Sequence, residues 1–348
     1  MIKNFKILLN IVRHSLHTKA RGVLHGRYFA GVEFVNKNNI VVNENSWIES
    51  GSRLWVTNPT KIDTNICIEG QCWIGRDVEI QAYYGSNILV KENVSIQDRC
   101  KILGSVYIGQ DCLLAPDVFL SSGNHYYNYL PELPIKQQDK LAVGTAQDFM
   151  LKSSPIVIEE DCWLGKNSIV MKGVNVGRGA VIGANSFVNM NVPPYEVWAG
   201  TPARFIKKRL DFKPPLGIQF DKMENRPYFY RGFEHRNADN NGFPSSNSSV
   251  CVLETSNKAS LFLSGEIYVE GELKIWRNDC LIFNSNMMPG SFAEILFFTE
   301  NLNSNPVSAL YQDLSNEIKK NLCVVFEFKA RERETKAGFS INKIEQRD

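Results

Sequence analysis

The chain has 348 residues with 39 basic and 37 acidic side chains, a formal charge of +2. It therefore lacks the global positive field of a nucleic-acid binder and is long enough for two or three domains. A mean hydropathy of −0.22 and the lack of an apolar run near about 18 residues exclude a membrane-spanning helix. Eight cysteines without a C-x-x-C pair, and five histidines, support neither a disulfide scaffold nor a zinc ribbon.

Residues 1–32 contain no Asp or Glu and carry Lys3, Lys6, Arg13, Lys19, Arg21 and Arg27. Ile2, Phe5, Leu8, Leu9, Ile11, Val12 and Leu16 recur close to helical spacing, which predicts a short basic amphipathic helix. Such a helix either lies on an anionic membrane surface or packs its apolar face on the protein or a second subunit. The apolar core around Leu8 and Leu9 is short, is interrupted by Asn10 and is followed by no small-residue cleavage site, unlike a secretory signal. The expected location is the cytoplasm, where thiols stay reduced, with contact to the inner membrane surface as one option.

A repeat of six residues follows. Ile158, Leu164, Val170, Val176, Ile182 and Val188 are aliphatic at a strict spacing of six. Four residues after each stands a small or β-branched residue: Cys162, Ser168, Val174, Ala180, Ser186 and Val192. The register also holds at Val90, Ile96, Ile102, Ile108, Leu114 and Leu120, and at Val56, Ile62, Ile68, Ile74 and Ile80. Internal repeats of this kind mark stacked architectures. One large aliphatic and one small residue per six suit a triangular coil, with each side a short strand and each corner a turn. Successive coils would stack ~4.8 Å apart. Cys72, Cys100, Cys112 and Cys162 fall in the small inward slot and read as buried small hydrophobes. The register breaks near Tyr83-Tyr84-Gly85-Ser86, and again between Leu120 and Ile158, where a loop of roughly thirty residues is long enough to be functional.

These residues resemble the hexapeptide-repeat acyltransferases, which fold as left-handed parallel β-helices. The handedness is implied by the resemblance, since crossovers of that hand oppose the general rule. The match runs over roughly residues 50–209. It is most specific from Ser154-Pro155-Ile156-Val157-Ile158 through Trp163-Leu164-Gly165 and Gly183-Ala184 to Val192-Pro193-Pro194-Tyr195 and Ala199-Gly200-Thr201-Pro202-Ala203. This stretch is similar to the sugar O-acetyltransferase branch, which modifies capsule, lipopolysaccharide, maltose and galactosides. The long loop, opening Ser121-Ser122-Gly123-Asn124-His125-Tyr126-Tyr127 and continuing to Leu133-Pro134-Ile135, is similar to that of acetyltransferases acting on surface polysaccharides.

The resemblance implies several roles. His125 matches the general base that takes a proton from an acceptor hydroxyl as it attacks the thioester of acetyl-CoA, work an imidazole suits near neutral pH. Asn124, Tyr126 and Tyr127 are candidate acceptor contacts beside it. Trp163 matches a tryptophan along the pantetheine arm, or is an outward aromatic at a subunit contact. Ala184 matches a position whose amide binds that arm, and is also a small residue the turn needs. Thr201 and Pro202 belong to the turn beside the adenine. Arg204, Lys207 and Lys208 supply cations for the CoA phosphates, with Lys207 the best match to the 3′-phosphate ligand, or form a solvated charged face. Two positions depart from the pattern. Lys166 stands where relatives have a small polar residue, and Asn189-Met190 stands where they often have Thr-Lys, so one phosphate lysine is missing. A carbonic-anhydrase-like zinc site would need three histidines converging; His125 is the only one in the repeat, so no metal is expected.

After Val192 the register ends, and residues 210–245 read as a linker. Strand-like runs follow at Val250 to Leu253, Ser260 to Leu263, Glu266 to Ile275, Leu281 to Phe283, Glu294 to Phe298, Leu322 to Phe328 and Phe339 to Ile344. Leu310, Leu314 and Ile318 allow a short helix. About seven strands predict a β-sandwich-like domain over 246–348. Tyr228, Phe229, Tyr230, Phe233 and Trp276 either form a carbohydrate-binding face or fill a core.

The expected architecture is thus all-β: a basic N-terminal segment (1–32), a left-handed β-helix prism (33–209), a linker (210–245) and the sandwich-like domain. The expected activity is acetyl transfer from acetyl-CoA to a sugar hydroxyl of a capsule, lipopolysaccharide or related glycan, or its precursor. The family implies a homotrimer with CoA between neighbouring prisms. Two alternatives remain open: N-acetylation of a nucleotide-linked amino sugar, and a non-catalytic glycan-binding prism.

Overall fold

The computed structural model describes residues 24–57, 64–83, 85–142, 154–219, 221–233, 243–258, 260–278, 280–297, 314, 318–330 and 339–347. The expected N-terminal helix carried by Ile2 to Leu16 and the residue Ile62 lie outside the described residues. So does the helix expected from Leu310 to Ile318, apart from Leu314 and Ile318. Contacts divide the chain after Leu210 into two units, each described by itself.

The first unit is a solenoid of three parallel sheets. The first face stacks Arg27–Tyr28, Trp47–Ile48, Trp73–Ile74, Ser95–Ile96, Leu113–Leu114, Trp163–Leu164, Val181–Ile182 and Glu196–Gly200, with Ala203–Lys208 antiparallel at its end. The second face has seven strands, from Glu33–Val35 to Phe187–Val188, and the third has six, from Ile40–Val42 to Asn175–Val176. Seven strands at ~4.8 Å give a wall on the order of 29 Å long.

The period of six sets the core. Ile48, Ile74, Ile96, Leu114, Leu164 and Ile182 stack down the first face; Leu54, Ile80, Ile102, Leu120, Val170 and Val188 down the second; Val42, Ile68, Val90, Ile108, Ile158 and Val176 down the third. Every one of them has 0 % exposure. Each such side chain contributes about 1.5–3 kcal/mol by burial. Cys72, Cys100, Cys112 and Cys162 are buried in the small slots.

The corners use a second, longer period. A left-handed backbone recurs at Asn45, Gln71, Asn93, Asp111, Asp161 and Tyr195 between the third and first faces, and at Asp77, Arg99, Asp117, Asn167 and Asn185 between the first and second. Asn and Asp tolerate this region best among non-glycine residues. The corner between the second and third faces is different, because it carries the insertions. A 3-10 turn at Lys37–Asn39, the turn at 83–86 and the long loop after Ser121 all open there. The sequence register ran from Val56 through Ile62 to Ile68, whereas the second-face core residue before Ile68 is Leu54. Helix α1 (Ile135–Ala142) lies within the long loop. The solenoid also begins earlier than the repeat suggested: Arg27–Tyr28, placed with the basic segment on sequence, pairs with Trp47–Ile48.

The second unit is a nine-stranded antiparallel sheet. Phe243–Leu253 pairs through Ser248 to Leu253 with Leu322–Ala330 and through Phe243 to Ser245 with Phe339–Arg347, so this strand joins two halves of the sheet. The run expected from Glu266 to Ile275 is two strands, Ser260–Ile267 and Gly271–Arg277. The break falls before Gly271, where a side chain would collide with Phe328 and the Lys329 carbonyl. The expected linker is not a passive connection: Gly217–Gln219 pairs with Phe339–Arg347, and Ile218, Phe229 and Phe233 are fully buried. Tyr230 and Trp276 are 3 % and 5 % exposed. These aromatics pack into two cores on opposite faces of the sheet.

Candidate functional site

The long loop is pinned at both ends. Ser122 is buried and its Oγ accepts the Ser105 amide at 2.7 Å; the Ser154 amide donates to the Ser122 carbonyl at 3.0 Å. Helix α1 starts on the Pro134 carbonyl, which accepts the Gln137 and Gln138 amides at 2.8 and 3.1 Å. Gln138, 1 % exposed, then folds the loop onto the helix. Its Oε1 accepts the Tyr129 and Leu130 amides at 3.1 and 3.0 Å, and its Nε2 donates to the Leu133 carbonyl at 2.8 Å.

Asp139 turns this scaffold toward chemistry. Its Oδ1 accepts the Tyr126 amide at 2.9 Å and its Oδ2 lies 2.6 Å from His125 Nδ1. A carboxylate only accepts, so in the neutral ring the proton sits on Nδ1 and Nε2 keeps its lone pair. The imidazole is 76 % exposed, which leaves Nε2 open to a substrate hydroxyl. Asn124 Oδ1 accepts the His125 amide at 2.9 Å, so Asn124 shapes the loop. Tyr126 is buried, with its ring edge-on to Tyr129 at 5.9 Å, and so anchors the loop rather than presenting a surface. Tyr127 is exposed. The sequence reading missed Gln138 and Asp139. The available signal was a helix-starting proline followed by polar residues capable of turning back on the loop.

The cofactor candidates gather on the outside of the first face. Ile182 points inward and pairs with Trp198, so Val181 and Val197 point outward, in the same column as Trp163. The terminal hairpin continues this surface. Val197 pairs with Lys207 and Ala199 with Arg204, with a bulge between them at Ile206. The bulge offsets the normal alternation, so Arg204 and Lys207 share the outward face although they are three residues apart. Lys208 pairs with Glu196 and falls on the opposite face, away from Trp163.

Between these groups runs a smooth strip of Gly165, Gly183 and Ala199, ending at Arg204. A side chain at 165 would meet the Ala184 amide, and one at 183 would meet the Ala199 side chain. The amides of Gly183 and Asn185 bond to neighbouring coils, whereas the exposed Ala184 amide between them is not used by the wall. Thr201 Oγ donates to the Asn185 carbonyl at 3.2 Å, and Pro202 follows it in a cis peptide. Arg204 Nη1 lies 3.8 Å from Met190 Sδ, so a cation stands where the missing lysine would be. Lys166 Nζ is 3.8 Å from Asp117. Arg209 is a brace: it meets Asp161 at 3.0 Å and the Gly179 carbonyl at 2.9 Å.

The two halves of the site are at different corners. His125 emerges from the corner between the second and third faces, while Trp163, Ala184 and Arg204 lie along the first face and its corner with the second. No contact among the described residues joins them. Among the described residues no three His, Cys, Asp or Glu side chains cluster as metal ligands.

A family model described as the hexapeptide repeat of succinyl-transferase matches residues 155–189. An Escherichia coli protein named for lipopolysaccharide biosynthesis O-acetyl transfer is 36 % identical over 138 residues, covering 38 % of this chain and 67 % of the relative. An E. coli protein named for colanic acid biosynthesis as an acetyltransferase is 32 % identical over 136 residues, 37 % of this chain and 71 % of the relative. A chloramphenicol acetyltransferase of Klebsiella aerogenes is 38 % identical over 106 residues, 29 % of this chain and 50 % of the relative. The chain thus spans about half the length of the chloramphenicol acetyltransferase and two thirds or more of the other two.

Proposed function

The chain belongs to the hexapeptide-repeat acyltransferases, and from that premise we propose that it moves an acetyl group from acetyl-CoA to a hydroxyl of a bacterial surface glycan or its precursor. The observation that carries the reading is the His125–Asp139 contact of 2.6 Å. It orients an exposed imidazole with Nε2 available as a base.

His125 Nε2 takes the proton of the acceptor hydroxyl as its oxygen bonds to the thioester carbonyl carbon. The tetrahedral intermediate then expels CoA as the C–S bond breaks, and the imidazolium returns the proton to the thiolate. Positioned proton transfer of this kind contributes ~10²–10⁴ in rate. Asp139 holds the ring and balances its charge while it is protonated. On the first face, Trp163 flanks the pantetheine arm on the strip of Gly165, Gly183 and Ala199, the Ala184 amide donates to it, and Arg204 and Lys207 meet the phosphates. Thr201 and Pro202 frame the adenine end.

Because the two halves stand at different corners of one prism, the reading includes a second copy whose CoA strip faces His125 across a subunit groove, in a trimer. We further propose that the basic residues ahead of the solenoid, 1–23, contact the cytoplasmic face of the inner membrane, where surface glycans are assembled. Deleting residues 1–20 should reduce sedimentation with anionic liposomes; unchanged binding refutes that assignment.

The test of the activity is CoA release from acetyl-CoA with a panel of capsular and lipopolysaccharide glycans, comparing the parent chain with His125→Ala. Release that depends on one glycan and is lost in the variant supports the reading. The product should lose its acetyl group in mild base, as an ester does and an amide does not. Glycan binding without turnover assigns the chain as a non-catalytic prism. One observation favours a second acceptor class: the 38 % identity to a chloramphenicol acetyltransferase puts chloramphenicol, another alcohol, in the same panel.

A further inference from the structure

The turn at Tyr83 to Ser86 is not explained by the His125 loop, yet it opens from the same corner. Glu79–Ala82 pairs with Lys101–Leu103, which pairs with Phe119–Ser121, so this turn lies two coils from the loop. The intervening coil rounds the corner on Gly104 and Ser105 alone. Gly104 has φ +92°, a region that strains any residue with a side chain. The space a side chain at 104 would take is held by Ser122 Oγ, with the Tyr83 ring beside it. Tyr83 Cε2 would stand 3.2 Å from a Cβ at 104 and 3.7 Å from one at 123. The ring therefore spans the intervening coil, and its hydroxyl-bearing end meets the base of the loop at Gly123, two residues before His125. Tyr83 is half-buried, and its hydroxyl makes no hydrogen bond to the described residues. Its pKa is raised by burial and, second, by Glu79, so the phenol keeps its proton and can donate.

We propose that Tyr83 is an acceptor-binding, specificity-determining residue: its ring is a platform for a sugar ring, and its hydroxyl fixes a neighbouring sugar oxygen so that the reacting hydroxyl reaches His125 Nε2. The chemistry fits a pyranose, which offers an apolar C–H face to an aromatic ring and hydroxyls at its rim. The platform stands at the corner turn directly after Glu79–Ala82, whereas the base is carried on the long loop. This inference rests on the O-acetyltransferase reading and adds the residue that selects the acceptor.

The test measures steady-state kinetics of the full chain, Tyr83→Phe and Tyr83→Ala, with acetyl-CoA and whichever glycan of the panel gives fastest CoA release. Tyr83→Ala should raise the acceptor KM about tenfold or more, the scale of one lost contact of about 1.4 kcal/mol, with the acetyl-CoA KM unchanged. Tyr83→Phe, which keeps the packing against Gly104, should give a smaller rise of the same kind. Thermal melting of both variants checks the fold, and the Phe variant keeps the test valid if the Ala variant does not fold. An unchanged acceptor KM in Tyr83→Phe and in folded Tyr83→Ala, or a parallel rise in the acetyl-CoA KM, overturns the role of Tyr83 and leaves the activity standing. No turnover of any glycan by the parent chain overturns the activity and the proposal with it.

Discussion

Asp139 holds His125 twice over: one carboxylate oxygen lies 2.6 Å from the imidazole Nδ1 and the other accepts the amide of the next residue, Tyr126, at 2.9 Å. The ring and the backbone beside it are thus set by one side chain, itself carried on α1 next to the buried Gln138. Asp139→Asn keeps the shape but loses the charge that favours Nδ1–H and supports the imidazolium. We expect kcat to fall about 10- to 100-fold, less than the ~10²–10⁴ a general base contributes in all, with the acetyl-CoA KM unchanged. Steady-state kinetics at varied acetyl-CoA check this; a rise in that KM at constant kcat would assign Asp139 a different role.

Arg204 occupies the place that sequence reading left short of charge. Its guanidinium lies 3.8 Å from Met190 Sδ and shares the outward face with Lys207. Hydrogen bonds to charged groups are worth about 1.5–3 kcal/mol, so Arg204→Ala should raise the acetyl-CoA KM roughly tenfold or more. Adding Met190→Lys in the same chain should recover part of that loss, because the lysine restores a cation at the same end of the strip. A double variant no better than Arg204→Ala would mean that the phosphates lie elsewhere. Lys208→Ala, on the opposite face, should leave the KM near that of the parent.

Legibility differed between parts of the chain for physical reasons. The walls were readable because Ile158, Leu164 and Val170 must each face one core, and burial imposes the spacing directly on residue type. The corners were less readable, because the left-handed positions accept Asn, Asp, Gln, Arg and even Tyr195, so no single letter marks them. His125 was visible as a lone histidine in a register break. Asp139 was not, since fourteen residues separate the two and the contact depends on a helix inside a polar loop. The shared face of Arg204 and Lys207 depends on a bulge at Ile206, which simple alternation would have denied.

The buried thiols predict an alkaline weakness. Burial raises Cys67 and Cys100 to about 11 and Cys72 and Cys323 to about 12. In the unfolded chain these thiols lose their protons near the usual ~8.5. Below that pH both states are protonated and stability is full. As pH rises from there toward the folded values, the unfolded state alone releases protons and folding is progressively disfavoured. Melting temperature should therefore fall between pH 8.5 and 10.5, and less so in Cys72→Ala. In the native state at pH 8 a thiol reagent should reach Cys280, the exposed one of the eight, and all eight only after denaturation.

The separation of His125 from the CoA strip makes a stronger demand than either half alone. If each site takes its base from one chain and its CoA strip from another, a variant lacking the base and a variant lacking the strip carry complementary defects. His125→Ala and Trp163→Ala/Arg204→Ala should each be nearly inactive as pure proteins. Unfolded, mixed and refolded together, they should regain a substantial fraction of parental CoA release, because some grooves then pair an intact base with an intact strip. Light scattering on the parent should give a mass about three times 39.5 kDa. A single chain that carried both halves of its own site would give no recovery on mixing, since every site would inherit one defect whole. Recovery that appears only after co-refolding, and not after mixing folded proteins, would further show that the subunits exchange slowly, as expected of an interface built along a whole wall of the prism.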